Sequence, residues 1–389
     1  MDEINQNILV LANSELIRCN AFFQIRQIAA KFELTDFEGW YWSIFLVPSY
    51  FEYSDLTYEY VLPYMTSLEI LKNRSKWDED KCKDFLNEIE NLVAVSTAKI
   101  QTIKESTPIV YRFTSKDNTD ILLSYNDKQV VINKQTYHKL LQSIKYTCFN
   151  SPTNDLLIWC LVFRHKYLGI YNRSSQLSVH PTFIKFLEDN FELKAELFAS
   201  AFNHTTETYG SLFLDIECYF NSIGNFFDHE LHEGVYEINP PFVTSVITKS
   251  VEVALERLKS KKPIEFILVL PVWDYKGQQM LKNSCKNYRY EPGEYEEMKC
   301  FDSMNKSEYL KEHFIVCDEV MKYYDYFNNR TISHVSPTHI YYLTNTYVSF
   351  HKKNLLKRFF TKFDMDKSSL KDSIICRSGI CKTNCEKLI

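Results

Sequence analysis

The run Glu265–Leu270 (EFILVL) carries one charged residue and then five apolar residues without a break. A strand with one face in water alternates polar and apolar side chains, whereas a strand covered on both faces does not. This segment therefore predicts a strand inside a sheet that helices cover on both sides, and it constrains everything around it. Leu156–Leu168 and Pro181–Asn190 read as helices, and Lys194–Ser200 reads as a strand ending in small residues. Gly234–Ile238 reads as a further strand, Val243–Leu258 as an amphipathic helix and His339–Leu343 as a late strand. Alternation of strands and helices predicts an α/β domain with a mostly parallel, doubly wound, Rossmann-like sheet over residues 151–350.

Residues 1–150 follow another pattern and predict a mainly helical N-terminal domain. Asp80–Ala98 places apolar residues at helical spacing between charges. A small β layer is expected near residues 108–133, where Ile109–Phe113, Ile121–Tyr125 and Gln129–Ile132 are separated by SKDN and NDK turns. A helix over Gln135–Lys145 follows, and the aromatic stretch Trp40–Tyr60 reads as core and domain interface. Residues 351–389 form a basic C-terminal tail that ends with Cys376, Cys381 and Cys385.

A net charge of −5 over 389 residues excludes a general basic coat for nucleic acid, so RNA or DNA would need a local stripe. Lys352, Lys353, Lys357, Arg358 and Lys362, with Phe359 and Phe360 between them, suit a helix with one basic and one apolar face. Such a helix reads equally as a phosphate contact and as an ordinary soluble surface. Eleven scattered cysteines behind a start that lacks a basic, cleavable leader predict reduced thiols and an intracellular protein. The longest apolar run, Leu156–Phe163, is too short to cross a bilayer, and no membrane partner is expected. No metal site is expected either: the terminal cysteines lack CxxC spacing, and His229 and His232 in DHELHE read as a solvated loop.

The sharpest signal is Asn239-Pro240-Pro241-Phe242, which follows an apolar strand and precedes an amphipathic helix. Asn-Pro alone commonly starts a turn. At the carboxyl end of a parallel strand the same residues suit the exocyclic amine of adenine. That nitrogen is a poor nucleophile because its lone pair is delocalised into the ring. An Asn oxygen and a backbone carbonyl can each accept one of its two N–H groups, which draws it toward tetrahedral geometry. The prolines stiffen the loop, since each locks φ and lacks an N–H. The phenyl ring offers the base a stacking face.

Upstream, Glu196-Leu197-Phe198-Ala199-Ser200-Ala201-Phe202-Asn203 closes a strand with small residues, and Tyr219-Phe220-Asn221-Ser222-Ile223-Gly224 precedes Asp228. Downstream, the apolar strand ends in Pro271-Val272-Trp273. In this order, and with a helix like Leu156–Arg164 ahead of them, these segments resemble the cap-specific adenosine N6-methyltransferase family, also described as phosphorylated-CTD-interacting factors. The resemblance spans residues 155–345. It implies a Rossmann-like class I methyltransferase domain, with S-adenosylmethionine as cofactor and capped RNA as partner. The substrate it implies is the first transcribed adenosine beside a 7-methylguanosine cap.

Carried over residue by residue, Asn239, Pro240, Pro241 and Phe242 would hold adenine as the catalytic loop. Glu196, Phe198, Ala199, Ser200, Asn203, Gly224 and Asp228 would line the cofactor. Arg164, Trp273, Tyr288 and Arg289 would meet the substrate, the last two within a Tyr-Arg-x-x-x-Gly stretch ending at Gly293. This chain has Ala201-Phe202 where the family has Pro-Leu, Asn221 where it has Gly, and Glu294-Tyr295 where a His is expected. A WW domain is not expected, because Trp40 and Trp42 are nearly adjacent. Two alternatives stand beside this reading. One is an N6-adenine methyltransferase acting on DNA or an internal RNA site; the other is a non-catalytic RNA-binding subunit of the same fold.

Overall fold

The computed structural model describes residues 2–37, 40–41, 68–103, 110–114, 119–144, 151–284, 298–318, 320–333, 335–361 and 374–375. Packing divides the chain into two compact units. The first holds residues 1–176 together with 200–202 and 211–228; the second holds 177–199, 203–210 and 229–389. The division differs from a boundary at residue 150, because the helix that opens at Ser151 belongs with the N-terminal elements.

In the first unit, α1 (Asp2–Lys31), α2 (Leu68–Ser75) and α3 (Glu79–Gln101) precede a three-stranded antiparallel sheet. Asp78 starts α3 by accepting the Lys81 N–H at 2.8 Å, which satisfies one donor of the first turn. Strands β1 (Val110–Thr114), β2 (Asp120–Tyr125) and β3 (Lys128–Asn133) form the expected small β layer, and α4 (Lys134–Ser143) follows. Helix α5 (Ser151–Tyr167) has every side chain from Leu156 to Phe163 buried. A helix apolar on all sides must be wrapped on all sides. It packs against α1, α4 and all three strands of this layer, with the Trp159 indole donating to the Lys128 carbonyl at 3.3 Å.

In the second unit, β4 (Leu177–Val179) and α6 (Pro181–Phe191) lead into β5 (Leu193–Glu196) and β6 (Thr208–Gly210). Then come β7 (Gly234–Ile238), α7 (Thr244–Arg257), β8 (Ile264–Pro271), α8 (Tyr275–Ser284) and α9 (Lys299–Asn305). The rest is β9 (Leu310–Val316), β10 (Tyr323–Asp325), β11 (Arg330–Ile332), β12 (Thr338–Thr344), α10 (Phe350–Thr361) and β13 (Ile374–Ile375). The main sheet of this unit runs β13-β9-β12-β8-β7-β5-β6. Strands β6, β5, β7 and β8 are mutually parallel, and β12 lies antiparallel between β8 and β9. A small antiparallel sheet, β11-β10-β4, stands beside it.

This is a mixed α/β arrangement compatible with a Rossmann-like fold, with one inserted antiparallel strand in place of a wholly parallel sheet. The central strand behaves as its sequence requires: Phe266 through Leu270 are fully buried, each side chain worth roughly 1.5–3 kcal/mol of hydrophobic stabilisation. Expected and observed bounds agree for β7 and differ by one or two residues for most of its neighbours. The strand expected over Lys194–Ser200 is shorter, ending at Glu196, because the chain turns there toward β6. Cys317 is disulfide-bonded, a departure from uniformly reduced thiols. The basic helix α10 is tied to the domain: Lys352 pairs with Glu265 at 2.8 Å, and Phe359 and Phe360 pack on Phe183. Among the described residues no helix is long and apolar enough to cross a membrane.

Candidate active site

The main sheet of the second unit has a topological switch point. After β5 the chain moves outward to β6, then returns to place β7 on the other side of β5. In open α/β sheets the carboxyl ends of the two strands at such a point splay apart and leave a crevice where ligands bind. Here those ends carry Leu197–Ala199 after β5 and Asn239–Phe242 after β7. The motif read from the sequence thus sits where the topology opens.

Around Asn239 the loop is tight. The Val243 N–H donates to the Pro241 carbonyl at 2.7 Å, and the Ile247 N–H donates back to Val243 at 3.0 Å, which starts α7. The Pro240 carbonyl receives no such bond among the described residues. The Asn239 side-chain oxygen is covered and also has no hydrogen-bond partner among them. A buried acceptor without a donor costs roughly 1–3 kcal/mol. Ser245 Oγ, at the second position of α7, and Glu237 Oε1, two residues before Asn239, are covered and unpartnered in the same way.

Rings wall this loop. Phe242 meets Trp273 edge to face at 5.8 Å between centroids, and meets Tyr323 similarly at 6.4 Å. The Tyr323 hydroxyl lies 3.1 Å from Thr338 Oγ1. Trp273, expected at the substrate, therefore belongs to the aromatic wall of the motif.

The segment bearing Trp273 is held by three side chains whose sequence separation hides them. His313 Nε2 lies 2.9 Å from His339 Nδ1, and His339 Nε2 lies 2.7 Å from Asp274 Oδ1. Asp274 Oδ2 accepts the Gly277 N–H at 2.8 Å and so opens α8. Burial would push Asp274 up, but His339 and the backbone donors hold it below the usual carboxylate range. Burial and the neighbouring His339 push His313 down to about 3, and its ring stacks on Tyr341 at 4.1 Å. No sequence pattern joins these residues; only the pairing of β12 with both β9 and β8 does.

On the β5 side, Glu196 Oε2 accepts the Thr205 N–H at 2.6 Å, the Thr206 N–H at 2.8 Å and Thr206 Oγ1 at 3.1 Å. This carboxylate, expected at a cofactor, closes the turn into β6. Phe198 and Ala199 are half-buried beyond it, and the Ala199 N–H donates to the Gly210 carbonyl at 2.8 Å. A Cβ on Gly210 would stand 2.4 Å from the Leu197 carbonyl oxygen, so only glycine permits this approach. Asn203 is buried in the second unit.

Ser200, Gly224 and Asp228 belong to the first unit. Ser200 Oγ bonds Gln176 Oε1 at 2.6 Å, the Gly224 carbonyl accepts the Ser211 N–H at 2.9 Å, and Asp228 is exposed. Phe202, where the resembled family has Leu, is fully buried against His165 and Tyr171 as an aromatic anchor. Asn221, where that family has Gly, has φ 70°. Asn is among the few residues with a side chain that enter the left-handed region readily, so the backbone demand that favours Gly is met.

Arg164 is corrected. Its guanidinium is 4% exposed and turned inward. It grips Asp215 through two bonds of 2.6 and 2.7 Å and bonds both oxygens of Glu15, while Arg18 bonds Glu15 at 2.6 Å. Burial would raise Glu15 and Asp215, but Arg164 and Arg18 hold both below their ordinary values. Four of its five N–H groups are taken by the carboxylates of Glu15 and Asp215. Tyr288, Arg289 and Gly293 lie outside the described residues. Among the described residues no group of His, Cys, Asp or Glu side chains could hold a metal ion.

Residues 155–292 match the family described as the phosphorylated CTD interacting factor 1 WW domain. The match bears on the absence of a WW domain expected from Trp40 and Trp42, and overturns it in part. The matched stretch holds the helix α5 and strands β4 to β8, so here the description attaches to α/β structure.

Proposed function

We propose that the segment matched to the phosphorylated CTD interacting factor family is the core of an S-adenosylmethionine-dependent RNA (adenine-N6) methyltransferase, acting on the adenosine beside an mRNA cap. One observation carries the reading: the covered, partnerless side-chain oxygen of Asn239 at the switch point of the sheet. Buried polar atoms in folded proteins nearly always have a partner, whether protein, water or ligand. An adenine amine supplies one.

The chemistry then follows from this chain's own atoms. Asn239 Oδ1 accepts one N6–H, and the Pro240 carbonyl, left open by the Pro241–Val243 turn, accepts the other. Both bonds pull the nitrogen toward tetrahedral geometry and free its lone pair. No general base is required first, because the alkylated nitrogen becomes acidic. Phe242 supplies the stacking face, and Trp273 and Tyr323 hold that ring in place. Phe198, Ala199 and Asn203 would line the methyl donor on the β5 side. When bound, S-adenosylmethionine supplies an electrophilic methyl group on sulfur. Placement and preorganised hydrogen bonds are the protein's contribution to the rate.

The test is methyl transfer from labelled S-adenosylmethionine to capped RNA, to 5′-triphosphate RNA and to single-stranded DNA, each beginning with adenosine. Faster transfer to the capped RNA, with the label recovered as N6-methyladenosine, is expected. Equal rates on all three would move the substrate to an internal RNA or DNA site. No transfer and no S-adenosylmethionine binding would overturn the enzymatic reading.

A further inference from the structure

We propose that Glu237 is a specificity-determining residue of this site: its carboxyl group donates a hydrogen bond to ring nitrogen N1 of the adenine whose amine Asn239 accepts. The proposal rests on the adenine reading above and adds to it a second point of contact with the base. Glu237 is the penultimate residue of β7 and Asn239 is the first residue after it, two positions further along a chain that rises about 3.3 Å per residue in a strand. Glu237 is 2% exposed, and its Oε1, like Asn239 Oδ1, is covered and has no hydrogen-bond partner among the described residues. Two partnerless oxygens two residues apart at the carboxyl end of one strand point to one ligand edge.

The protonation state follows from the neighbours. Glu196 stands opposite Glu237 in the β5–β7 register, with three donors on its own carboxylate. Burial, and then the charge of Glu196, push Glu237 well above the usual carboxylate range. Tyr323 of β10 is the other titratable group that senses it, and its hydroxyl stays protonated because burial pushes it up. Across the sheet, Glu237 is in register with Ile267, which brings no charge. Both causes favour the protonated form of Glu237, and a protonated carboxyl group is a donor.

The pair Asn239 and Glu237 then presents an acceptor beside a donor. Adenine presents the complement, an N6–H donor beside the N1 acceptor. Guanine presents O6 and N1–H, the opposite order, and would leave two clashing pairs. Cytosine shares the adenine order, so the pair reads an amino-and-ring-nitrogen edge, and ring size must separate the two bases.

The experiment compares methyl transfer to capped RNA beginning with adenosine with transfer to the same RNA beginning with 1-deazaadenosine, which lacks the N1 acceptor. The proteins are wild type, Glu237→Gln and Glu237→Leu. The wild type is expected to favour adenosine by about tenfold, the worth of one hydrogen bond. Glu237→Gln keeps a donor and should keep the preference, while Glu237→Leu should lose about tenfold of it. Using the ratio removes differences in the intrinsic reactivity of the two amines. Wild-type activity should also fall in alkaline solution as Glu237 ionises, and Glu237→Gln should lack that limb.

Should Glu237→Leu fail to fold, the wild-type preference and the two pH profiles decide. An unchanged preference in Glu237→Leu, no preference in the wild type, or the same alkaline limb in Glu237→Gln would overturn the proposal while leaving Asn239 as the amine acceptor. No transfer to any adenosine would overturn the site reading and this inference together.

Discussion

Two sets of buried polar side chains in this protein are treated in opposite ways. In the first unit, Arg164, Arg18, Glu15 and Asp215 are all nearly inaccessible, and every charge meets its opposite at bonding distance. In the second unit, Asn239 Oδ1 and Glu237 Oε1 are covered and meet nothing among the described residues. The first set is complete in itself and serves the fold. The second set is incomplete among the described residues, as the proposed adenine site requires. An arginine that reads as a ligand contact along the chain is an internal strut, while the oxygen of the asparagine has no partner among the described residues.

The largest effect should come from breaking the completed set. Arg164→Met leaves Glu15 and Asp215 buried beside only Arg18, and uncompensated buried charge of this kind costs about 3–5 kcal/mol. Urea unfolding should show a loss of that size. A variant as stable as the wild type would erase the contrast, since the network would then contribute nothing to the fold.

Next comes the incomplete set. Asn239→Ala removes no side-chain hydrogen bond of the oxygen to the described residues, so stability and S-adenosylmethionine affinity should hardly change. Methyl transfer should fall by about 100–1000-fold, as for other preorganised acceptors and donors at a reacting centre. Calorimetric binding beside a turnover assay checks both halves. Phe242→Gly should cost less, roughly 1–3 kcal/mol of transition-state stabilisation through the lost stacking face. Full activity on every adenine substrate would remove Phe242 from the site.

The smallest effect is a slope. Glu237 has a folded-state pKa above its ordinary 4.5, so the native protein holds a proton that the unfolded chain has released. Its contribution to stability is present below pH 4.5 and is lost as the pH rises through the raised value. Glu15 and Asp215 have the opposite sign: their contribution is present above their ordinary values of 4.5 and 3.8 and is lost as the pH falls. Stability measured against pH should therefore lose its alkaline decline in Glu237→Gln and keep its acid decline. An alkaline decline of the same size in that variant would show that another group releases the proton.

What the amino-acid sequence determined by itself is local and periodic. The unbroken apolar run of Phe266–Leu270 demanded a strand covered on both faces, and Gly234–Ile238 followed by Asn239-Pro240-Pro241-Phe242 placed a stiff loop at a strand end. Such features depend on neighbours a few residues apart, whose spacing alone sets which side they face. The tertiary structure decided what no spacing contains. It brought Glu15 to Arg164 across 149 residues and Asp274 to His339 across 65, and it set Glu237 beside Glu196. It also assigned α5 to the first unit and split the stretch after β5 between both. Burial and pairing fix whether a polar group is a strut or a contact, and both arise only when distant segments close over it.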